Sequence, residues 1–277
     1  MEVRRRAVSG TILFVALCFV APTSGVALGE ARSPRAFPDL VALPPKEVSG
    51  PVTGFMMTLG VDAPMVVEGC FLDERVRKGA ERCLRFDGIV GNVGDGAFEL
   101  AYMFNKNHVV AAIQRVFNQD GTYGDRFAIG SEFHPTHAHF HVKDFYIARL
   151  WQADETGRRM GNEPVARGDK NGFCPQDSEH TEGDEAARGH YACFALVPDG
   201  SRVQVVGISA GWADVYGYEL PDQFVEITGV PDGRYVLEIE IDPNDVFVEK
   251  NETNNSVCTV LQLTGTDAEI VEPKVPC

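Results

Sequence analysis

Strand-length runs of Val, Ile, Phe and Tyr recur along the chain between clusters of Gly, Asp and Pro, and no long segment repeats its apolar residues at the helical period of 3.6. A chain punctuated in this way is predicted to be all-β: a β-sandwich of short antiparallel strands with long, disulfide-stapled loops. The clearest strand runs from Tyr235 to Ile241. There Tyr235, Leu237, Ile239 and Ile241 alternate with Val236, Glu238 and Glu240 after the turn residues Pro231, Asp232 and Gly233, giving one buried and one wet face. Further strands are expected at 65–71, 83–90, 98–104, 109–117, 145–151, 192–197, 202–208, 224–230 and 257–263. The acidic stretch from Pro175 to His190 breaks the pattern and is read as a solvated loop. With 277 residues, 44% of them hydrophobic, and no linker in view, the chain can bury one large β-type core; low complexity, collagen and a multispan membrane protein are excluded.

The first 29 residues are expected to be a secretory signal peptide and to stand outside the fold, leaving 30–277 as a single domain. Arg4, Arg5 and Arg6 precede an apolar run from Thr11 to Ala21 and then small residues at Ala27 and Gly29. That run is too short to span a bilayer, so the mature chain has no membrane span. Of 25 basic and 40 acidic residues the leader holds three Arg and one Glu, so the mature chain carries 22 and 39, a net charge of −17. Such a surface repels nucleic acid and favours cationic partners. Six cysteines remain, an even set suited to disulfides in an oxidising compartment, secreted or periplasmic. The simplest of the 15 pairings joins sequence neighbours: Cys70 with Cys83, Cys174 with Cys193, and Cys258 with Cys277.

Four of the seven histidines fall within eight positions of the segment SEFHPTHAHFHVKD, residues 131–144. His137, His139 and His141 alternate strictly, so an extended backbone sends all three imidazoles from one face, each roughly 6 to 7 Å from the next. A bend can converge them on one ion. Three imidazoles suit copper, zinc, iron or nickel and leave positions open for substrate, water or dioxygen. Spacing does not choose the metal, and a zinc hydrolase is one reading. Near the C-terminus Glu249, Asn251, Asn254 and Asn255 offer only oxygens, the preference of calcium; the competing reading is an Asn-rich turn bonded to its own backbone.

Further motifs resolve part of this. HAHFH at 137–141, GDKNGFC at 168–174 and WADVYGYE at 212–219 stand in the order and at the approximate intervals of the lysyl oxidases, whose His-x-His-x-His copper strand precedes a Gly-x-Lys-x-x-Phe-Cys segment and an Asp-x-Tyr-Gly segment. The closing stretch from Gln223 to Cys258 also looks like that family's last strands. The chain thus resembles the lysyl oxidase family from about Phe37 to Cys277. The small cysteine set, with Thr136 where the animal enzymes have a cysteine, looks more like a bacterial or archaeal member.

The resemblance implies that His137, His139 and His141 hold Cu(II). It implies that Lys170 and Tyr216 are the precursors of lysine tyrosylquinone, through which a primary amine, peptidyl lysine of extracellular proteins or a small amine, is oxidised by dioxygen to an aldehyde with release of ammonia and hydrogen peroxide. Asp214, two residues from Tyr216 and on its face if the segment is extended, is a candidate general base, and Asp144 a candidate partner for a ligating imidazole. His134 matches a histidine just before the family's copper strand. The resemblance also brings Asp39 and the Leu40 carbonyl to Glu249, Asn251, Asn254 and Asn255 as a Ca(II) site. A zinc-dependent hydrolase or a non-catalytic extracellular metal-binding β-sandwich module remains as the alternative.

Overall fold

The computed structural model describes residues 33–46, 48–49, 66–67, 70–71, 81–105, 108–134, 139–168, 172–181, 189–193, 203–220 and 222–277; for His108, His134 and His139 it describes the backbone alone. The expected leader, His137 and Lys170 lie outside these residues. Among the described residues there is no helix, every strand pairing is antiparallel, and strands from all parts of the chain enclose one apolar core. No helix long and apolar enough to cross a membrane is present among them.

One five-stranded sheet runs in the order Ala166–Arg167, Tyr146–Gln152, Gly233–Ile241, Ser256–Thr264 and Asp267–Val275. Tyr146 pairs with Ile241 and Gln152 with Tyr235, so the alternating Leu237 and Ile239 point into the core beside Ala148 and Leu150. The opposite face was expected to be wet, yet Val236 and Glu238 are buried there. Their cover is a chain segment folded back over the sheet. The Trp151 indole donates to Glu238 Oε2 at 2.6 Å, the Arg159 guanidinium lies 4.3 Å from the Trp151 ring, and Val260 and Cys258 complete a second small cluster.

A second five-stranded sheet joins Arg35–Ala36, His108–Asn118, Phe98–Asn105 and Val203–Ile208, with Tyr123–Ile129 along the other edge of His108–Asn118. A four-stranded sheet of Glu179–His180, Trp212–Tyr216, Gly88–Asn92 and Leu40–Leu43 carries the motif tyrosine. The run 83–90 divides at Asp87 into Cys83–Phe86 and Gly88–Asn92, which belong to different sheets; the Asp87 carboxylate accepts the Tyr218 N–H at 2.9 Å at the break. The stretch read as a loop from Pro175 contains Glu179–His180, hydrogen-bonded as an edge strand to Trp212 and Ala213. Asp267–Val275 was not foreseen, because its inward residues are only Ala268 and Ile270.

All three neighbour pairings of cysteine form: Cys70 with Cys83, Cys174 with Cys193 and Cys258 with Cys277, at Cα separations of 5.0, 5.9 and 5.3 Å. Leu237, fully buried in the central strand, gives a direct test of the core. Leu237→Ala is expected to cost roughly 2–5 kcal/mol and to lower Tm by about 5–15 °C in a thermal melt followed by near-UV circular dichroism.

Candidate active site

The histidine motif forms a hairpin. Ser131–His134 pairs with His139–Val142, placing His134 opposite His139 and Glu132 opposite His141. Asp144 follows in the turn at a positive φ of 51°. His141 is almost completely buried at 1% exposure, and His139 stands two positions earlier on the same strand.

The segment carrying the motif lysine is fixed at both ends. On one side the Gly168 N–H donates to the Ala148 carbonyl at 2.9 Å. On the other, Phe173 exchanges two backbone hydrogen bonds with Val142, at 2.7 and 3.3 Å. This bridge seats Gly172 on the imidazole: a Cβ at Gly172 would lie 2.8 Å from His141 Cβ and 3.2 Å from its Nδ1, so no larger residue fits without moving the ring. Between the two anchors, Gly168 and Phe173, the sequence has only Asp169, Lys170, Asn171 and Gly172.

Tyr216 arrives from the four-stranded sheet. Its ring lies 6.3 Å from the His141 ring, edge to face, and 4.3 Å from Phe173. The Tyr216 hydroxyl accepts from the Cys174 N–H at 3.2 Å and donates to the Cys174 carbonyl at 3.4 Å. The tyrosine is thereby tied to the residue that the Cys174–Cys193 disulfide holds. Burial, and next the negative charge of Asp214, push the Tyr216 phenol well above the usual tyrosine range.

Asp214 shares the inward face of Trp212–Tyr216 with Tyr216, as an extended segment requires, and is fully buried. Ser178 Oγ donates to Asp214 Oδ1 at 2.9 Å. Tyr102, fully buried, lies within reach of the fields of both Asp214 and Tyr216. Gln223 is fully buried as well, and its Oε1 accepts from Tyr146 at 3.2 Å. Neither was singled out in the sequence, since a tyrosine in a strand and a glutamine at a strand entry carry no pattern of their own.

A second group of oxygens joins residues 38–40 to the connection between Gly233–Ile241 and Ser256–Thr264. Lys250 N donates to the Pro38 carbonyl at 2.8 Å, Leu40 N to Glu249 Oε2, Asn254 Nδ2 to Asp39 Oδ1 at 2.8 Å, and Asn255 Nδ2 to Glu249 Oε1 at 3.0 Å. Oxygens of Asp242, Glu249 and Glu252 lie within 4.8 Å of one another. The carbonyl oxygens of the Asn254 and Asn255 side chains are buried without a hydrogen-bond partner among the described residues. Asp242 and Glu252 extend the set read from the sequence. Asn251 is exposed, and its oxygen accepts from Thr253 N and Oγ1 within its own turn. Three converging carboxylates with unmatched neutral oxygens form a donor set that suits a hard cation.

Without a cation this cluster holds protons. Burial, and then the repulsion of Glu252 and Asp242 against the bonds from Leu40 and Asn255, push the Glu249 carboxyl up to about 8. A folded pKa raised above its unfolded value means that the native state binds more protons between the two, so stability is lost as pH rises from about 4.5 to 8. In chelator-treated protein the stability is expected to fall across this window by an amount on the order of a few kcal/mol, seen as a lower Tm at the higher pH, and Glu249→Gln should flatten the profile.

The sequence profile of the family described as Lysyl oxidase matches residues 114–272. Protein-lysine 6-oxidase of Homo sapiens is 31% identical over 137 residues, 50% of this chain and 29% of that protein. The Sus scrofa protein of the same name is 30% identical over 137 residues, 50% of this chain and 49% of its own length. Lysyl oxidase homolog 1 of Homo sapiens is 31% identical over 146 residues, 51% of this chain and 23% of that protein. The matched region thus spans less than half the length of each of these relatives.

Proposed function

Because the chain belongs to the lysyl oxidase family, we propose that it is a secreted or periplasmic copper amine oxidase. Its reaction would convert primary amines, peptidyl lysine or small amines, to aldehydes with release of ammonia and hydrogen peroxide. The observation that carries this reading is the buried meeting of three motifs. His141 of the histidine strand lies edge to face with Tyr216 of the tyrosine segment and against Gly172, two peptide units after Lys170, while Phe173 bridges to Val142 and packs on Tyr216.

In this reading His137, His139 and His141 hold Cu(II), and Lys170 and Tyr216 give lysine tyrosylquinone. The described part of the site suits the pair: a buried imidazole, a buried protonated phenol, and a glycine where a Cβ would press on the imidazole. When present, copper and dioxygen supply the oxidation of the phenol, and the quinone supplies the two-electron oxidation of the amine. The residues of the chain then do ordinary work. Phe173 and the two bonds to Cys174 hold the Tyr216 ring in one orientation. Asp214, to which Ser178 donates, would take the proton from the carbon bearing the amine. The strong negative charge of the chain draws cationic amines and dioxygen needs no steering.

The oxygen cluster of Asp39, Asp242, Glu249, Glu252, Asn254 and Asn255 would hold Ca(II), tying Asp39 to the connection between Gly233–Ile241 and Ser256–Thr264. The three disulfides and the Arg-rich apolar leader support export.

The test is peptide mapping of copper-loaded, aerated protein trapped with a hydrazine. A covalent link between the peptides carrying Lys170 and Tyr216 is expected, and Lys170→Ala should lose both the link and amine-dependent oxygen uptake. Active protein in which the two peptides stay separate and unmodified contradicts the reading. Hydrolytic activity that survives Lys170→Ala would identify a zinc hydrolase instead.

A further inference from the structure

Two hydrogen-bond donors around the Tyr216 ring have nothing to donate to. The Nε2 of Gln223 and the hydroxyl of Tyr102 are buried and lack a partner among the described residues, although both residues are fully buried and buried donors are nearly always matched. Gln223 occupies space that Gly88 leaves open. A Cβ at Gly88 would lie 2.8 Å from Gln223 Oε1 and 3.4 Å from Phe173 Cζ. Gly88 is also the register partner of Tyr216, and directly opposed residues of an antiparallel pair face the same side of the sheet. The Gln223 amide, the Phe173 ring and the Tyr216 ring therefore form one contiguous group. Tyr102, on a strand of another sheet, is buried in the same apolar cluster as Phe173 and Tyr216, and the charge of Asp214 acts on its phenol.

We propose that Gln223 and Tyr102 are positioning residues for Tyr216 in its oxidised form, their unmatched donors held for the carbonyl oxygens of the quinone. This rests on the lysine tyrosylquinone reading. Oxidation of the phenol by dioxygen to an ortho-quinone adds one oxygen to the ring, turns the original hydroxyl oxygen into a second carbonyl and removes the single O–H donor. The surroundings of Tyr216 contain the complement of that product, two spare donors, and so fit the mature ring better than the unmodified one. Donors at two fixed points also stop the quinone from turning, so that the same carbonyl always faces the incoming amine.

A sign reversal tests this. Tyr102→Phe is compared with the parent, and Gln223→Met is compared in a Tyr146→Phe background, where the glutamine oxygen has already lost its partner. Each pair is melted before copper is added and again after copper loading, aeration and confirmation of the Lys170–Tyr216 link by mass spectrometry. Before maturation each substitution removes an unmatched donor, so Tm should stay level or rise by about 1–3 °C. After maturation it removes a hydrogen bond, so Tm should fall by a similar amount and the visible absorption maximum of the quinone should move. A change of the same sign in both states with an unmoved absorption maximum overturns the proposal. Reversal at one residue alone assigns the role to that residue and overturns it for the other. If the parent forms no link, the underlying cofactor reading falls, an outcome that the peptide map distinguishes from the first.

Discussion

The exchange of two backbone hydrogen bonds between Val142 and Phe173 is the constraint on which the site depends. It is a single bridge between segments thirty residues apart, and it brings the end of the lysine motif onto the histidine strand. Gly172 can then lie against His141, Phe173 can pack on Tyr216, and Cys174 can bind the tyrosine hydroxyl through its backbone. Loss of the bridge would leave each motif in its own strand with no common chemistry.

The rest of the fold holds that bridge rigid. The 168 end of the lysine segment is pinned to Ala148, in a strand whose register with Gly233–Ile241 is fixed over seven residue pairs. The 174 end is fixed by the disulfide to Cys193. Tyr216 is held by its pairing with Gly88, where a side chain would collide with Gln223. Elsewhere, Leu40 N donates to Glu249 and Asn254 to Asp39, joining residues 39–40 to the connection that carries the carboxylates at 242, 249 and 252. A cation there would relieve the mutual repulsion of those carboxylates.

Much of this was legible in the sequence, for reasons that differ by residue. Strand periodicity gave the core face of 235–241, because alternation with a period of two is a local property. The cover over Val236 and Glu238 was not legible, since it depends on Trp151 and Arg159 returning from elsewhere. Neighbour pairing of the cysteines was readable because each loop is short. Asp214 and Tyr216 could be placed on one face from their spacing alone. Gln223 and Tyr102 could not be found that way: what marks them is an unmet hydrogen bond in a crowded interior, and that exists only once three sheets have come together. Asp242 likewise reaches Glu249 and Glu252 through a turn at positive φ that its sequence neighbours do not announce.

The central claim is that the histidine strand is a copper centre placed beside Tyr216. Pulsed electron paramagnetic resonance of the full chain loaded with one equivalent of Cu(II) measures this directly, because the modulation reports how many imidazoles bind the ion. The account predicts one type of copper with three imidazole couplings, reduced to two in His141→Ala. A spectrum with no imidazole coupling, or one unchanged by His141→Ala, would contradict it.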